Sequence, residues 1–330
     1  MNLRRGIWFA GELPTARMVA LAQQAERAGV DSVWMADGYY ARDALVSLAA
    51  IGSATARVQL GTSVLNPFTR HPAALAMAFA TLDELSNGRA IIGIGAGARH
   101  QVEGQMGYDG SRPLTAVREA IDVLERIATG EEVDYDGQVI TARGVRLVIK
   151  GARPLPIYVG AVGPKMLQLA GERAAGVFVP QTSPEFVRTA LKDVEKGAEA
   201  AGRKLDDVDV AALIILAVAE DEKAAQRSVG PLLGILMLAP EAERILEGND
   251  LDPTIADRLR KAYAVGGVRE VAQNVTTDMI EKLAIAGPPD LCQEKLQGLV
   301  DAGVTHPVIS MIGQTPETGL DVLNAIRDPR

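Results

Sequence analysis

The feature that most constrains this 330-residue sequence is a rhythm of short apolar run, turn and amphipathic stretch, repeated eight times. Residues 6–10, 32–36, 58–64, 90–94, 156–159, 177–180, 208–218 and 307–312 read as strands. A helix over 14–28 ends at Gly29, a residue that tolerates the left-handed conformation beyond a helix end. Asp43 suits the N-cap of a helix running to Thr55. Over 72–85, Leu75, Phe79, Leu82 and Leu85 share one helical face. Leu114, Val117, Ile121 and Leu124 mark the next helix. Alternating strands and helices predict a parallel sheet, and eight such units predict an α/β fold of the (β/α)8 TIM-barrel type, not an open doubly wound sheet.

Two segments break the rhythm. Residues 131–150 carry Asp136-Gly137 between β-like runs, which predicts a β-hairpin insertion. Residues 221–285 are too long for one crossover and read as a helical insertion. The expectation is a single domain over 1–330. With aromatics at only 4%, Ala, Leu, Ile and Val are expected to fill the core.

Composition narrows the function. Hydrophobic residues at 48% and charged residues at 23% exclude disorder for the bulk of the chain. A net charge of −8 gives no global basic field for nucleic acid. No apolar run reaches the length of a membrane span, and the opening MNLRRGIWFAGELP lacks a signal-like apolar stretch. Cys292 is alone, so no internal disulfide or cysteine cluster forms; a reducing, cytoplasmic setting and a buried packing role are expected. His71, His100 and His306 show no metal-ligand spacing, so no metal is expected. His71 suits a structural helix start, and His306 opens a strand at the barrel's non-catalytic end.

In such barrels, ligands meet the C-terminal ends of the strands. That selects Trp8 and Glu12, then residues 37–40, 63–66, 95–101 and 160–165. Gly95-Ala96-Gly97 fits either a tight turn or close approach to a ligand. It lacks dinucleotide spacing, because His100 stands where the last glycine would fall. Gly160-Ala161-Val162-Gly163 precedes a helix start at Pro164, where free amides and the nearby Lys165 suit a phosphate; a plain compact turn fits equally. Asp37 suits a hydrogen bond to a ligand ring or a turn-capping role.

The order and spacing of several motifs together are more specific. They are Asp37, Gly61-Thr62-Ser63-Val64-Leu65-Asn66-Pro67-Phe68-Thr69-Arg70, Ala80-Thr81-Leu82-Asp83-Glu84-Leu85-Ser86-Asn87-Gly88-Arg89, Ile92-Gly93-Ile94-Gly95-Ala96-Gly97 and Pro156-Ile157-Tyr158-Val159-Gly160-Ala161-Val162-Gly163-Pro164-Lys165-Met166. With Met279-Ile280-Glu281, Ala284-Ile285-Ala286-Gly287 and Ala302-Gly303-Val304-Thr305, the chain resembles the luciferase-like superfamily over nearly its whole length. Within it, the resemblance is to the F420-dependent methylenetetrahydromethanopterin reductases. The resemblance implies a barrel holding coenzyme F420, or alternatively FMN, in its mouth. It implies cofactor contacts from Asp37, Ser63, Val64, Gly97, Ala98, Gln101, Ala161, Val162 and Gly163, and a cis peptide between Ser63 and Val64. It also implies a small-molecule substrate and a homo-oligomer, dimer or tetramer.

Three positions depart from that pattern. Trp8 stands where the reductases have a glutamate, Ala98 where they have an acid, and Gly38 where related sugar-phosphate dehydrogenases have a histidine. Glu12, Tyr39, Tyr40 and His100 are the nearest candidate proton donors. An FMN-dependent monooxygenase and a non-catalytic cofactor or pterin carrier are the alternatives to an F420-dependent hydride-transfer enzyme.

Overall fold

The computed structural model describes residues 3–180, 182–239, 241–311 and 316–328. The strands are β1 (Gly6–Phe9), β2 (Ser32–Met35), β3 (Gln59–Thr62), β4 (Ala90–Ile94), β5 (Val133–Asp136), β6 (Thr141–Val145), β7 (Ile157–Gly160), β8 (Gly176–Val179), β9 (Asp209–Val218), β10 (Ala284–Gly287) and β11 (His306–Met311). The helices are α1 (Thr15–Arg27), α2 (Ala44–Ala54), α3 (Pro72–Leu85), α4 (Pro113–Ala128), α5 (Pro164–Arg173), α6 (Pro184–Ala200), α7 (Glu222–Leu236), α8 (Ala242–Gly248), α9 (Thr254–Asn274), α10 (Thr277–Leu283), α11 (Pro289–Asp301) and α12 (Pro316–Ala325). Eight strands pair in parallel in the order β1-β2-β3-β4-β7-β8-β9-β11 and close through β11 and β1. Gly6 stands opposite Val308 across that seam and opposite Ser32 on its other side. This is the (β/α)8 barrel that the alternation predicts. β5 and β6 form the expected antiparallel hairpin outside it. His71 accepts the Ala73 amide at the start of α3, and its Nε2 lies 2.9 Å from the Thr141 carbonyl, tying that helix to the hairpin.

The second insertion differs from expectation at its end. Residues 284–287 form strand β10, not helix, and pair in parallel with Ile215–Val218 of β9. The cause is the length of β9: its ten residues serve β8 with the first part, while the second part projects beyond the barrel rim and offers an edge. Ala284-Ile285-Ala286-Gly287 is short and buried throughout, so it satisfies that edge. Helices α7 to α10 pack with β10 around a second apolar cluster that includes Val229, Leu233, Leu246, Leu259 and Met279.

The barrel interior also departs from the aliphatic core expected. Both tryptophans lie inside it, with Trp8, Trp34, Tyr158 and Phe178 packed among Ile91, Ala211, Leu213 and Val308. Trp34 is central, with ring centroids 5.1 Å from both Tyr158 and Phe178. The aliphatic residues fill the layer between strands and helices instead. A bulky ring fits inside a narrow barrel because its neighbour is reduced to nothing: a Cβ on Gly61 would lie 2.4 Å from the Trp34 ring.

Beneath Trp34 lies a closed polar network. Trp34 Nε1 donates to Ser32 Oγ at 2.9 Å, and Ser32 Oγ lies 2.7 Å from His306 Nε2. His306 Nδ1 lies 3.0 Å from Asp209 Oδ2. Indole only donates, which leaves the serine hydrogen available to Nε2, and burial disfavours the imidazolium; together they favour a neutral ring with its proton on Nδ1, facing the carboxylate. Asp209 also receives Arg4 at 2.8 Å, the Tyr158 hydroxyl at 2.7 Å and the Thr305 hydroxyl. The Ser–His–Asp sequence looks like a nucleophilic triad, but all three residues are buried and the serine is held by tryptophan, so it is a structural relay.

Burial alone would raise the Asp209 carboxyl, but His306, Arg4 and Thr305 outweigh it and hold it well below the usual carboxylate range. Burial pushes His306 below its ordinary value. For both groups the unfolded chain binds protons more readily, so stability is full above the ordinary histidine value and falls as pH drops through the histidine and then the carboxylate range. Unfolding midpoints in urea measured from pH 7.5 to pH 4 should decline in that way. Asp209→Asn should cost about 3 kcal/mol or more at pH 7, because it leaves Arg4 without its counter-charge and breaks the relay; a loss under about 1 kcal/mol would contradict this role.

Candidate active site

A cleft of about 380 Å³ opens at the C-terminal ends of the barrel strands. Its floor and walls come from strand-end loops in which local sequence dictates tight geometry. After β2, Asp37 and Tyr39 enter the cleft, and Tyr39 adopts φ 52°. After β3, the Ser63–Val64 peptide is cis, as the resemblance implies. Ser63 is fixed from two sides: its amide donates to Met35 O at 2.9 Å, and its hydroxyl accepts Trp8 Nε1 at 2.9 Å. Asn66 then caps the turn by accepting the amides of Phe68 and Thr69.

The Val64 side chain forms an apolar shelf. A Cβ on Gly95 would fall 2.6 Å from Val64 Cγ2, and one on Gly160 would fall 3.0 Å from Val64 Cγ1. The glycines after β4 and at the end of β7 are therefore what seat this valine. Gly97, at φ 70°, turns the chain so that the Ala98 amide donates to the Tyr39 hydroxyl oxygen at 2.6 Å. Ala161, Val162 and Gly163 line the far wall before α5.

Of the nine residues expected at a cofactor, Asp37, Ser63, Val64, Gly97, Ala98, Ala161, Val162 and Gly163 line this one cleft. Gln101 does not; it lies in a short π-helical turn, His100–Gln105, with its buried Oε1 lacking a hydrogen-bond partner among the described residues. Of the candidate proton donors, only Tyr39 lines the cleft. Glu12 and Tyr40 are exposed, and His100 is exposed with Nδ1 turned toward Gly104 of its own π-helical turn. Trp8 lines the cleft as well.

A roof of five residues was not anticipated from sequence. Leu236, Ala239, Glu241, Arg244 and Ile245 reach over the cleft from the end of α7, the link that follows it and α8. The one signal present is Pro240-Glu241, a dipeptide suited to a helix restart within a stretch that otherwise reads as continuous helix.

Burial sets the electrostatics. It raises the Asp37 carboxyl, with Arg70 opposing, and pushes the Tyr39 hydroxyl up to about 12. It also raises Glu241. The Cys292 thiol, buried under β10 with Sγ 3.3 Å from Gly287 O, is pushed up to about 11, which suits the expected packing role. Among the described residues, no three His, Cys, Asp or Glu side chains converge as a metal site, and no helix is long and apolar enough to cross a membrane.

The barrel agrees with the comparisons to known proteins. Residues 5–306 match the model of the luciferase-like monooxygenase family, and the chain belongs to that family. It is 35% identical to the 5,10-methylenetetrahydromethanopterin reductase of Methanolobus tindarius, over 96% of this chain and 97% of that one. It is 29% identical to an F420-dependent glucose-6-phosphate dehydrogenase of Mycolicibacterium fortuitum, over 97% and 95%. The structure of the F420-dependent tetrahydromethanopterin reductase of Methanopyrus kandleri superposes with a TM-score of 0.87 at 30% identity, over 100% of this chain and 99% of that one.

Tyr39→Phe removes the only acceptor of the Ala98 amide among the described residues and leaves that group unpaired in a part-buried turn. A loss of about 1–2 kcal/mol is expected in urea unfolding. An unchanged midpoint would mean that the hydroxyl does not hold the turn.

Proposed function

We propose that this chain is an F420-dependent oxidoreductase that moves a hydride between the deazaflavin and a small organic electrophile. The observation that carries this is the Val64 shelf, seated on Gly95 and Gly160 at the cleft floor. It offers a planar ring an apolar support that no side chain at either glycine could share. Met166, Phe178 and Leu213 extend that apolar wall. The F420-dependent relatives match nearly the whole chain at 29% and 30% identity, whereas the structures that hold FMN match it at 20% and 14%, and this supports F420 over FMN.

The residues fit the cofactor in three further ways. Asp37 presents a carboxyl to the polar edge of the ring. The Ala98 amide is committed to Tyr39, so the 97–98 turn is rigid when the ring arrives. The 161–163 loop leads into α5, whose first amides and partial positive charge suit the phosphate of the tail. Arg244, exposed and without a hydrogen bond or ion pair among the described residues, reaches this loop and adds a positive charge: its Nη1 lies 2.8 Å from where a Gly163 Cβ would be. When bound, the deazaflavin supplies hydride chemistry at a ring carbon. The chain supplies orientation and water exclusion, which lower the barrier without an acid at the positions of Trp8, Gly38 and Ala98.

The substrate class is a methylenetetrahydropterin or an electrophile like it, of the methanopterin or folate type, on the strength of the reductase relatives. The assembly proposed is a homodimer or tetramer, supported by the exposed Val46 on α2 and Met77 on α3. A buried, lone thiol suits a reducing, cytoplasmic setting.

Fluorescence titration with F420, FMN and NADPH should show saturable quenching with F420. Saturation with FMN alone would favour an FMN-dependent monooxygenase, and F420 binding without turnover of any acceptor would favour a carrier. Gly163→Leu should remain folded, since the clash is with the far end of a flexible arginine. It should weaken F420 binding more than tenfold, about 1.4 kcal/mol. Equal affinity for the folded variant and the parent would place the phosphate elsewhere.

A further inference from the structure

Among the described residues lining the mouth cleft, four carry a titratable group: Asp37, Tyr39, Glu241 and Arg244. Arginine does not release its proton in a protein. The Tyr39 hydroxyl accepts the Ala98 amide and contacts Asn66, and burial lifts it to about 12, so it holds its proton at neutral pH. Asp37 belongs to the floor, under the positive charge of Arg70 and bonded by the Tyr39 amide.

Glu241 is placed differently. It enters from the roof, opposite the floor on which the ring would rest, and its charge is felt by Tyr39. Its only polar partner among the described residues is its own backbone amide. Glu243, two residues on, is instead fully engaged: Arg260 of α9 grips it with Nη1 at 2.5 Å and Nη2 at 3.2 Å. Arg260, the α9 cation whose charge reaches Glu241, is thereby spent mainly on Glu243. Arg244 also points into the cleft, toward Gly163, and makes no ion pair with Glu241 among the described residues.

We propose that Glu241 is the general acid and base of this active site, handing a proton to a nitrogen or oxygen of the acceptor as hydride reaches the carbon bonded to it. This rests on the hydride-transfer function proposed above. The step balances simply. Hydride brings two electrons and one hydrogen to the acceptor carbon, and the π pair moves to nitrogen or oxygen. On a carbonyl that pair takes the Glu241 proton; on a methylenetetrahydropterin the proton goes to the leaving nitrogen as its C–N bond breaks to give the iminium, and the π pair then neutralises the other nitrogen. Either way Glu241 is left a carboxylate that is reprotonated from solvent at the cleft mouth. The reduced deazaflavin is the electron donor. In the reverse direction the carboxylate removes the N–H or O–H proton as hydride leaves.

The environment supports this role. Burial raises Glu241 above its ordinary value and the neighbouring Glu243 charge adds to that, while its own amide and Arg260 oppose. A carboxyl moved toward neutrality is the kind that exchanges a proton well at working pH. Its freedom from ion pairs leaves it able to turn toward a substrate. The acceptor class follows: one whose heteroatom gains a hydrogen on reduction.

The test is Glu241→Gln in the full-length protein, which keeps side-chain size. F420 quenching should match the parent within about twofold, showing an intact cleft. With reduced F420 and methylenetetrahydromethanopterin or methylenetetrahydrofolate, kcat should fall about 10²-fold or more with little change in KM. The parent's rate should fall as pH rises and the carboxyl ionises, and the variant should lose that limb. Infrared difference spectra of parent minus variant should show a protonated-carboxyl C=O band that persists above the ordinary glutamate range and disappears on raising pH further, with or without any acceptor. Failure of the parent to bind F420 overturns the cofactor assignment. F420 binding by both proteins, with the same rate and pH profile or with no carboxyl band in the difference spectrum, overturns Glu241.

Discussion

One carboxylate, Asp209, holds the bottom of the barrel closed. It sits at the start of β9, where β8 and β11 must both be joined for the sheet to become a cylinder. Its partners come from around the ring: Arg4 ahead of β1, Tyr158 in β7, and Thr305 and His306 at β11. Through His306 it reaches Ser32 and Trp34 of β2. A buried charge of this kind costs heavily unless every lone pair is met, and here each oxygen is met by a donor from another element. Closing the cylinder and satisfying the charge are therefore the same event.

The network sets the height of everything above it. Trp34 stands on Ser32 and packs its ring against Tyr158 and Phe178. Above that layer, Trp8 and Phe178 already belong to the cleft, and Trp8 reaches Ser63 beside the cis peptide. The cleft floor is thus the top of a continuous column of packed rings and hydrogen bonds, not a loose set of loops. The Gly95 and Gly160 contacts with Val64 complete it. A rigid floor of this kind is what hydride transfer requires, since orientation carries most of the catalytic effect there.

Much of this was legible in the sequence, and the exceptions have physical causes. Strand–helix alternation gave the barrel, Asp136-Gly137 gave the hairpin, and the strand-end rule with the family resemblance placed Asp37, Val64 and Gly163 at one site. Strand β10 was hidden because its reason lies elsewhere in the chain, in the overlong β9 that leaves an edge to be paired. The aromatic interior was hidden because a composition of 4% says nothing about where those few rings gather. The roof was hidden because Glu241 and Arg244 lie in a segment whose periodicity says only helix; that it folds back over the mouth depends on tertiary packing of α7 against α9 and β10. Glu12, Tyr40 and His100 are close in sequence to cleft residues, yet backbone turns direct them to solvent.

The central claim is that the strand-end cleft under the α7–α8 roof receives the deazaflavin. Hydrogen exchange by mass spectrometry with and without F420 tests it most directly. Protection is expected together in residues 36–39, 63–66, 95–98, 160–166 and 236–245, the walls and roof of that cleft. A second cleft lies away from it, lined by Phe68, Tyr108, Arg112 and Gln138 between α3 and the hairpin. Protection confined to that second cleft, or no protection at saturating F420, would contradict the assignment.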